Sequence, residues 1–194
     1  MKLQNQITKR NINETIPKTL HAPAGTGGQV SKLAESPEAV PSFKDAGLMS
    51  NGRVFNIISN VLGPLMPPAE FQIRTTLADN EYLETTPEFV VSSIVADPVL
   101  SVQSYHAEIF DCDDYVLYLK TKLSLYAASN LLSAPLAVGY LFTDNHAFTF
   151  CISSGSVLFL INTQSADHAV TGDPATFVEF LSLGPGNRIT TIYI

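Results

Sequence analysis

Residues 110–115 read Phe-Asp-Cys-Asp-Asp-Tyr, and residues 116–129 continue with Val-Leu-Tyr-Leu-Lys-Thr-Lys-Leu-Ser-Leu-Tyr-Ala-Ala-Ser. Asp111 is a residue type that caps a helix, and Asp114 stands three positions later, where a capping box places an acidic partner. Apolar side chains then recur at one-sided helical spacing, at Cys112, Tyr115, Val116, Leu119, Leu123 and Tyr126. The pattern predicts an amphipathic helix whose first turn holds Cys112 on the buried face.

The position of Cys112 at a helix start has two opposing effects on its thiol. Unpaired backbone N–H groups and the positive end of the helix dipole favour a thiolate, as at many nucleophilic cysteines. Asp113 and Asp114 act in the other direction, because nearby carboxylates raise a thiol pKa. Cys112 is therefore either a nucleophile or a buried apolar cysteine that happens to begin a helix.

The segments around this helix predict the rest of the fold. Helices are expected at residues 53–63, 87–96 and 174–181, and extended chain at residues 67–75 and 101–109. Strands are expected at residues 135–142, 146–153, 157–162 and 188–194, with a tight hairpin turn at Ser154-Gly155. Helices followed by a helix that leads into an antiparallel meander predict an α+β domain over residues 51–194.

Residues 1–50 differ in composition from this domain. They contain four prolines, the run Gly-Thr-Gly-Gly at residues 25–28 and few large apolar side chains. Such a segment buries too little surface to offset its ordering entropy, so we expect an extended or flexible arm. An arm of this kind becomes ordered most readily when it packs on another chain, which suggests a protein assembly partner for residues 1–50.

Charge and composition exclude several functions. Residues 1–53 carry seven Lys/Arg and four Asp/Glu, a net charge of +3, whereas residues 54–194 carry four and fourteen, a net charge of −10. An acidic body argues against nucleic-acid binding by the main domain. No apolar run approaches the ~20 residues of a membrane span. Two cysteines, without paired Cys/His ligands, predict neither a disulfide framework nor a zinc site, and suit a reducing cytoplasm.

Three residues form a candidate catalytic constellation. Cys112 begins the predicted helix, His146 begins a strand 34 positions later, and Asn162 ends the next strand 16 positions after that. The hairpin between these strands brings His146 and Asn162 within hydrogen-bond reach if both face the same side of the sheet. The set then comprises a nucleophile, a base and a residue that orients the base.

Three segments together resemble the transglutaminase-like cysteine proteinases of bacteria and phages. Residues 112–115 are similar to the family's Cys-[Asp/Glu]-Asp-[Tyr/Phe]-Ala segment. Residues 139–140 and 146–148 resemble its Gly-Tyr…His-Ala-Trp strand pair. Residues 160–164, Leu-Ile-Asn-Thr-Gln, resemble the segment with its third residue, usually Asp, or Glu-Pro-Gln in some phage and archaeal relatives. The resemblance covers roughly residues 70–165. It implies a papain-like fold and a cofactor-free hydrolase or acyltransferase for a protein or peptide substrate.

This sequence departs from the family pattern at several positions. Asn162 stands where Asp is usual, which removes a charge partner from the imidazolium, although papain-like enzymes tolerate Asn. Val116 replaces the usual alanine, and Phe148 replaces a frequent tryptophan. Gln103 and Tyr105 are both candidates for the oxyanion donor upstream of the nucleophile. The alternative function is therefore a non-catalytic phage virion protein with the same fold, whose arm mediates assembly, in the host cytoplasm or the virion.

Other potential site residues have simpler interpretations. Cys151 has odd spacing from His146 on one strand, so we expect it on the opposite face, in the core. We expect Asp167 and His168 in a solvated loop, and His106 and Glu108 on the surface. His21 lies in the arm and predicts nothing. A metal site built from His146 with Asp144 or His168 lacks suitable ligand spacing, so no metal is predicted.

Overall fold

The computed structural model describes residues 29–32, 43, 46–102, 110–165 and 168–194. The strands are β1 (Gln29–Lys32), β2 (Leu48–Ser50), β3 (Thr75–Thr76), β4 (Glu81–Leu83), β5 (Val138–Thr143), β6 (Ala147–Ser153), β7 (Val157–Ile161), β8 (His168–Thr171) and β9 (Ile189–Tyr193). A seven-stranded sheet has the order β1-β8-β7-β6-β5-β9-β3, and β2 pairs with β4 in a separate ribbon. Neighbouring strands of the large sheet are antiparallel except for β3 and β9.

Helices pack on both faces of this sheet. They are α1 (Asn51–Leu62), α2 (Pro68–Arg74), α3 (Pro87–Ala96), α4 (Pro98–Val102), α5 (Cys112–Ser129) and α6 (Pro174–Phe180). One apolar core joins α1 to side chains of β5 and β6 such as Leu141 and Phe150. A second core joins α3 and α5 to the opposite face, where Cys151 is fully buried. The described residues therefore form a helix–sheet–helix arrangement with α5 against β5 and β6.

Local sequence signals explain where the helices begin. The Ser50 hydroxyl accepts the Arg53 N–H at the start of α1, and the Thr86 hydroxyl accepts the Phe89 N–H at the start of α3. Serine and threonine are favoured at this position because their oxygens satisfy N–H groups that lack a partner within the helix. The expectations for α1, α3, α5 and α6 are confirmed within three residues at each end.

The extended chain predicted for residues 101–109 lies outside the described residues from residue 103 on, and residues 101–102 end α4. Two other local predictions are wrong. Residues 67–75 were expected to be extended, but α2 occupies Pro68–Arg74. Proline is well tolerated in the first turn of a helix, and a Glu70–Arg74 ion pair of 3.3 Å, one turn apart, supports this short element. The loop expected at His168 is instead the start of β8, whose backbone pairs with both β7 and β1. The polar residues on either side of β8 made this short strand resemble a loop in the sequence.

Parts of the predicted arm pack on the body. Strand β1 pairs with β8 at one end of the sheet, and β2 pairs with β4. Met49 is fully buried, and the Phe43 ring lies 4.9 Å from that of Phe89. Residues 1–28 lie outside the described part of the chain, so the arm and the assembly partner predicted for residues 1–50 stay predictions.

No helix in the described part of the chain is both long enough and apolar enough to cross a membrane.

Candidate active site

Helix α5 begins at Cys112, as the sequence predicts. The Asp111 carboxylate accepts the Asp114 backbone N–H, and the Asp114 carboxylate accepts the Asp111 N–H at 3.2 Å. This reciprocal capping box fixes where the first turn begins. Cys112 is half-buried there, in the first helical position.

The surroundings of Cys112 favour the neutral thiol. Burial is the main cause that raises the pKa of Cys112 above its ordinary value, and the Asp111 and Asp113 carboxylates add to it. The Ala147 backbone N–H donates to the sulfur and lowers the thiol pKa, but it does not compensate for burial. The carboxylates thus raise the thiol pKa, as the sequence predicts, but burial is the larger cause that disfavours a thiolate.

A polar turn between β5 and β6 holds His146. The Thr143 hydroxyl accepts the N–H groups of His146 and Asn145, at 3.0 and 3.3 Å. The Thr143 N–H donates to the His146 carbonyl at 2.8 Å. The turn is also tied to β9, because Asp144 Oδ2 accepts the Arg188 N–H at 2.9 Å and the Asp144 N–H donates to the Arg188 carbonyl at 3.0 Å.

His146 and Asn162 lie together, as the hairpin register predicts. His146 Nε2 lies 3.3 Å from Asn162 Oδ1, and the Gln164 backbone N–H donates to the same oxygen at 3.2 Å. A backbone N–H requires an acceptor, so the oxygen of the Asn162 amide must occupy this position. The second partner of that oxygen must then be a donor. In the neutral ring the proton therefore sits on Nε2, and the Nδ1 lone pair is available as a base.

Packing around His146 favours its neutral form. Burial is the main cause that lowers the pKa of His146 below 6.5, and the hydrogen bond to Asn162 opposes this shift. The Phe148 ring lies edge-on to the imidazole, with 4.6 Å between ring centroids. Phe148 thus covers one side of the base.

Cys112 and His146 line one surface pocket of about 340 Å³. Its other walls are Asp113 of α5, the end of β5, the turn after it and one residue of β9. The lining comprises Cys112, Asp113, Phe142, Thr143, Asp144, Asn145, His146, Ala147 and Thr190. Asn162 is not among these residues and approaches His146 from β7. The start of α5 and the residue before β6 thus lie on different walls of the same pocket.

The sequence singled out some of these residues and missed others. Thr143, Phe142 and Thr190 were not identified as site residues, although the Thr-Asp-Asn turn at residues 143–145 was a local signal. Cys151 is fully buried on the opposite side of β6 from His146, and burial raises its thiol pKa strongly, as a core residue requires. The remaining candidates lie outside the described residues: His21, Gln103, Tyr105, His106, Glu108 and Asp167.

One group in the described part of the chain has donor atoms close enough for a metal ion. Atoms of Asp111, Cys112 and Asp113 lie within 4.8 Å of one another. The Asp113 carboxyl is hydrogen-bonded to Asp111, which is the main cause that raises its pKa. This group differs from the His146 set considered from the sequence. Its two carboxyls belong to the capped start of α5.

Comparisons with known proteins identify a fold and no family. No family model and no curated protein matches this chain. Among solved structures, this chain is similar to one described as a PSL1a–E64 complex, with a TM-score of 0.57 and 18% sequence identity. The match covers 76% of this chain and 51% of the PSL1a chain. A Polyporus squamosus lectin bound to a human-type influenza-binding epitope has a TM-score of 0.54 and 18% identity, with coverages of 76% and 49%. This chain thus spans about half the length of those structures and shares a fold with that half.

Proposed function

We propose that this protein is a cysteine-dependent acyl hydrolase or transferase that acts on a peptide or amide bond. Cys112 is the nucleophile, His146 is the base and Asn162 orients the base. The observation that carries this proposal is one pocket lined by both Cys112 and His146, with His146 Nε2 hydrogen-bonded to Asn162 on the far side. Nucleophile, base and orienting residue in this order form the minimal unit of thiol catalysis.

The protonation states of Cys112 and His146 determine the order of proton transfer and nucleophilic attack. With the thiol pKa raised and the imidazole pKa lowered, both groups are neutral at pH 7. Cys112 therefore loses its proton as its sulfur attacks the substrate carbonyl, and Nδ1 of His146 accepts that proton. The imidazolium then donates it to the leaving amine, and the C–N bond breaks to give a thioester. Water or a second amine completes hydrolysis or transfer, with His146 again acting as base.

Asn162 determines how strongly the imidazolium is stabilised. Its amide oxygen accepts the Nε2 proton and holds the ring, but it carries no charge. A neutral partner leaves the pKa of His146 low, so proton transfer occurs during attack instead of producing a resting ion pair.

The similar solved structures are compatible with this proposal. PSL1a is described in complex with E64. An epoxide such as E-64 tests for a reactive thiol, because a thiolate is the nucleophile that opens it. At 18% identity this likeness supports the fold alone. The assignment to a papain-like, transglutaminase-like fold rests instead on the helix-borne Cys112, because α5 packs on the antiparallel strands β5 and β6. Free thiols at Cys112 and Cys151 suit the reducing cytoplasm that we propose as the location.

Labelling of Cys112 by E-64, followed by mass spectrometry of intact protein, tests the proposal. We expect one adduct on Cys112 in the native chain and in Cys151→Ser, and none in Cys112→Ser. His146→Ala should slow the reaction by about a hundredfold or more, because a positioned base contributes 10²–10⁴. Iodoacetamide at pH 10, where no base is needed, should still label His146→Ala and thus shows that its thiol is accessible.

The same experiment identifies the alternative. An E-64 rate that is the same in His146→Ala, or no adduct at all, would contradict the catalytic proposal. The chain would then be a non-catalytic component with this fold, of which a phage virion protein is the case predicted from the sequence.

A further inference from the structure

Three aromatic rings form a row that begins at the pocket, and we call Phe142, Tyr140 and Tyr193 the aromatic row. The Tyr140 and Phe142 ring centroids are 5.3 Å apart. The Tyr140 and Tyr193 rings are stacked, with 5.1 Å between centroids and 17° between planes. All three side chains are half-buried, so each ring leaves part of its surface to solvent.

The strand register places the row on the same face of the sheet as α5. Val138, Tyr140 and Phe142 alternate along β5 and share one face, and Tyr193 of β9 is the cross-strand partner of Tyr140. Val138 belongs to the core beneath α5, and Lys120 Nζ donates to the Val138 carbonyl at 2.8 Å. The row therefore runs beside α5, from the helix start that carries Cys112 toward Lys120 in the middle of the helix.

The row is continuous with the candidate site. Phe142 lines the same pocket as Cys112 and His146, and Tyr140 lies two strand positions beyond it, about 7 Å along β5. An extended substrate advances by roughly 3.3–3.4 Å per residue. When the reacting carbonyl of such a substrate lies at Cys112, the substrate side chain one or two residues from that carbonyl therefore lies over the row.

The chemistry of the surface selects the kind of group that it binds. Stacked phenyl and phenol faces favour large apolar or aromatic side chains through offset or edge-on ring contacts. Asp113 and Asp144 also line the pocket, and none of the nine described lining residues is Lys or Arg. The pocket is therefore unsuited to an acidic side chain.

We propose that the aromatic row is the specificity subsite for an aromatic or large aliphatic side chain beside the reacting carbonyl of the substrate. This inference rests on the proposed function, since it names the substrate class of the same pocket. Tyr140 and Tyr193 are specificity residues, and neither takes part in proton transfer.

Paired coumarin amides test the subsite by turnover. Acetyl-Phe-Gly-aminomethylcoumarin should be cleaved with at least tenfold higher kcat/KM than acetyl-Ser-Gly-aminomethylcoumarin. Tyr140→Val and Tyr193→Val keep a strand-favouring residue and should reduce this preference below threefold, mainly through kcat/KM of the Phe substrate. Tyr118→Leu, a control on α5 next to Lys122 and away from the pocket, should leave the preference unchanged.

A binding measurement separates this proposal from the proposed function. The chain contains seven tyrosines and no tryptophan, so energy transfer from tyrosine to acetyl-Trp-Gly reports binding directly. In Cys112→Ser we expect saturable transfer that is weakened at least fivefold by Tyr140→Val or Tyr193→Val. Binding of this kind without turnover of either substrate would sink the catalytic proposal and support the subsite. Turnover with equal preference in native and variant chains, or the absence of both turnover and binding, would overturn the subsite.

Discussion

At the scale of single residues, the site consists of ordinary side chains held by neighbouring backbone groups and by one hydroxyl. Cys112 receives an N–H from Ala147, His146 is held by Thr143, and Asn162 is held by the Gln164 N–H. The chemistry assigned to each residue depends on these contacts, because they determine which atom carries a proton and which atom accepts one. The Asn162 amide is the clearest case, since its oxygen has two donors.

Replacement of Asn162 tests its orienting role. Asn162→Ala removes the acceptor of the Nε2 proton, so His146 can adopt the wrong tautomer or rotate. We expect E-64 labelling of Cys112 to slow by about ten- to a hundredfold, the usual cost of a misplaced catalytic group. Asn162→Asp keeps the acceptor and adds a charge, so the pKa of His146 should rise, as NMR titration of its ring protons would report.

The two Asn162 variants are each other's controls. If Asn162→Ala labels at the native rate while circular dichroism shows a native fold, the hydrogen bond has no catalytic role. A His146 pKa that does not change in Asn162→Asp would mean that residue 162 does not contact the ring in solution.

The sequence predicted these residues better than their surroundings. Cys112, His146 and Asn162 are each recognisable from a local pattern, namely a helix start, a strand start and a strand end. The hairpin between β6 and β7 has only a three-residue connection, so the proximity of His146 and Asn162 followed from register alone. Thr190 was not predictable in this way, because it reaches the pocket through the non-local pairing of β5 with β9. Phe142 lies on β5, and its place in the pocket depends on the same pairing.

At the scale of elements, β5 is the strand against which α5 and β9 are both positioned. Gly139 lies at the point of closest approach: a Cβ there would collide with the Tyr193 carbonyl oxygen and the Phe150 ring. Glycine in a strand interior often marks such a close approach of another backbone. Beside Gly139, the buried amine of Lys120 on α5 donates to the Val138 carbonyl at 2.8 Å.

Gly139→Ala should therefore destabilise the protein. We expect the free energy of unfolding to fall by about 1–3 kcal/mol, the usual cost of an overpacked core, as measured by urea denaturation. Gly52→Ala is the matched control, because a methyl group at this position of α1 would meet no described atom within 4 Å. This control should stabilise the helix by roughly 0.5–1 kcal/mol, the opposite sign. Equal effects at both positions would contradict the packing described for β5.

Lys120 should make stability depend on pH. Burial lowers the pKa of Lys120 from 10.5 to about 8, and nearby Asp79 opposes the shift only weakly. Between pH 8 and 10.5 the unfolded chain holds more protons at this residue than the folded chain, so the free energy of unfolding rises with pH. The gain is at most about 3 kcal/mol, since part of the side chain reaches solvent.

The Lys120 effect is measured as a difference between variants. The unfolding free energy of the native chain should increase between pH 7.5 and 10 relative to that of Lys120→Met. Lys122→Met is the control on the same helix, because its ion pair with Asp97 raises the pKa of Lys122 and moves its titration out of this range. A parallel course for the native chain and Lys120→Met would show that Lys120 is solvated.

At the scale of the whole molecule, the segment before α1 is not a uniform arm, because some of its residues pack on the body. Composition predicted an arm over residues 1–50, since proline, glycine and polar residues dominate it. Composition averages over a segment, so it could not reveal that single residues such as Phe43 and Met49 pack on distant elements. The pairings of β1 with β8 and of β3 with β9 are likewise non-local and left no signal in their own short stretches.

Two N-terminal deletions separate a packed segment from an arm. Deletion of residues 1–50 removes the fully buried Met49, the pairing of β2 with β4 and the Phe43 contacts with Phe89 and Tyr126. Burial of two such side chains is worth at least about 3 kcal/mol, so we expect the melting temperature to fall by roughly 6–12 °C. Deletion of residues 1–28 keeps all of these contacts and β1, and should leave the melting temperature within about 2 °C.

Sedimentation velocity of the same proteins then tests the assembly role of the arm: self-association of the full chain should be lost on deletion of residues 1–28. A full chain that is monomeric at every concentration would contradict self-assembly through the arm, and equal melting losses in both deletions would show that residues 1–28 are part of the folded body.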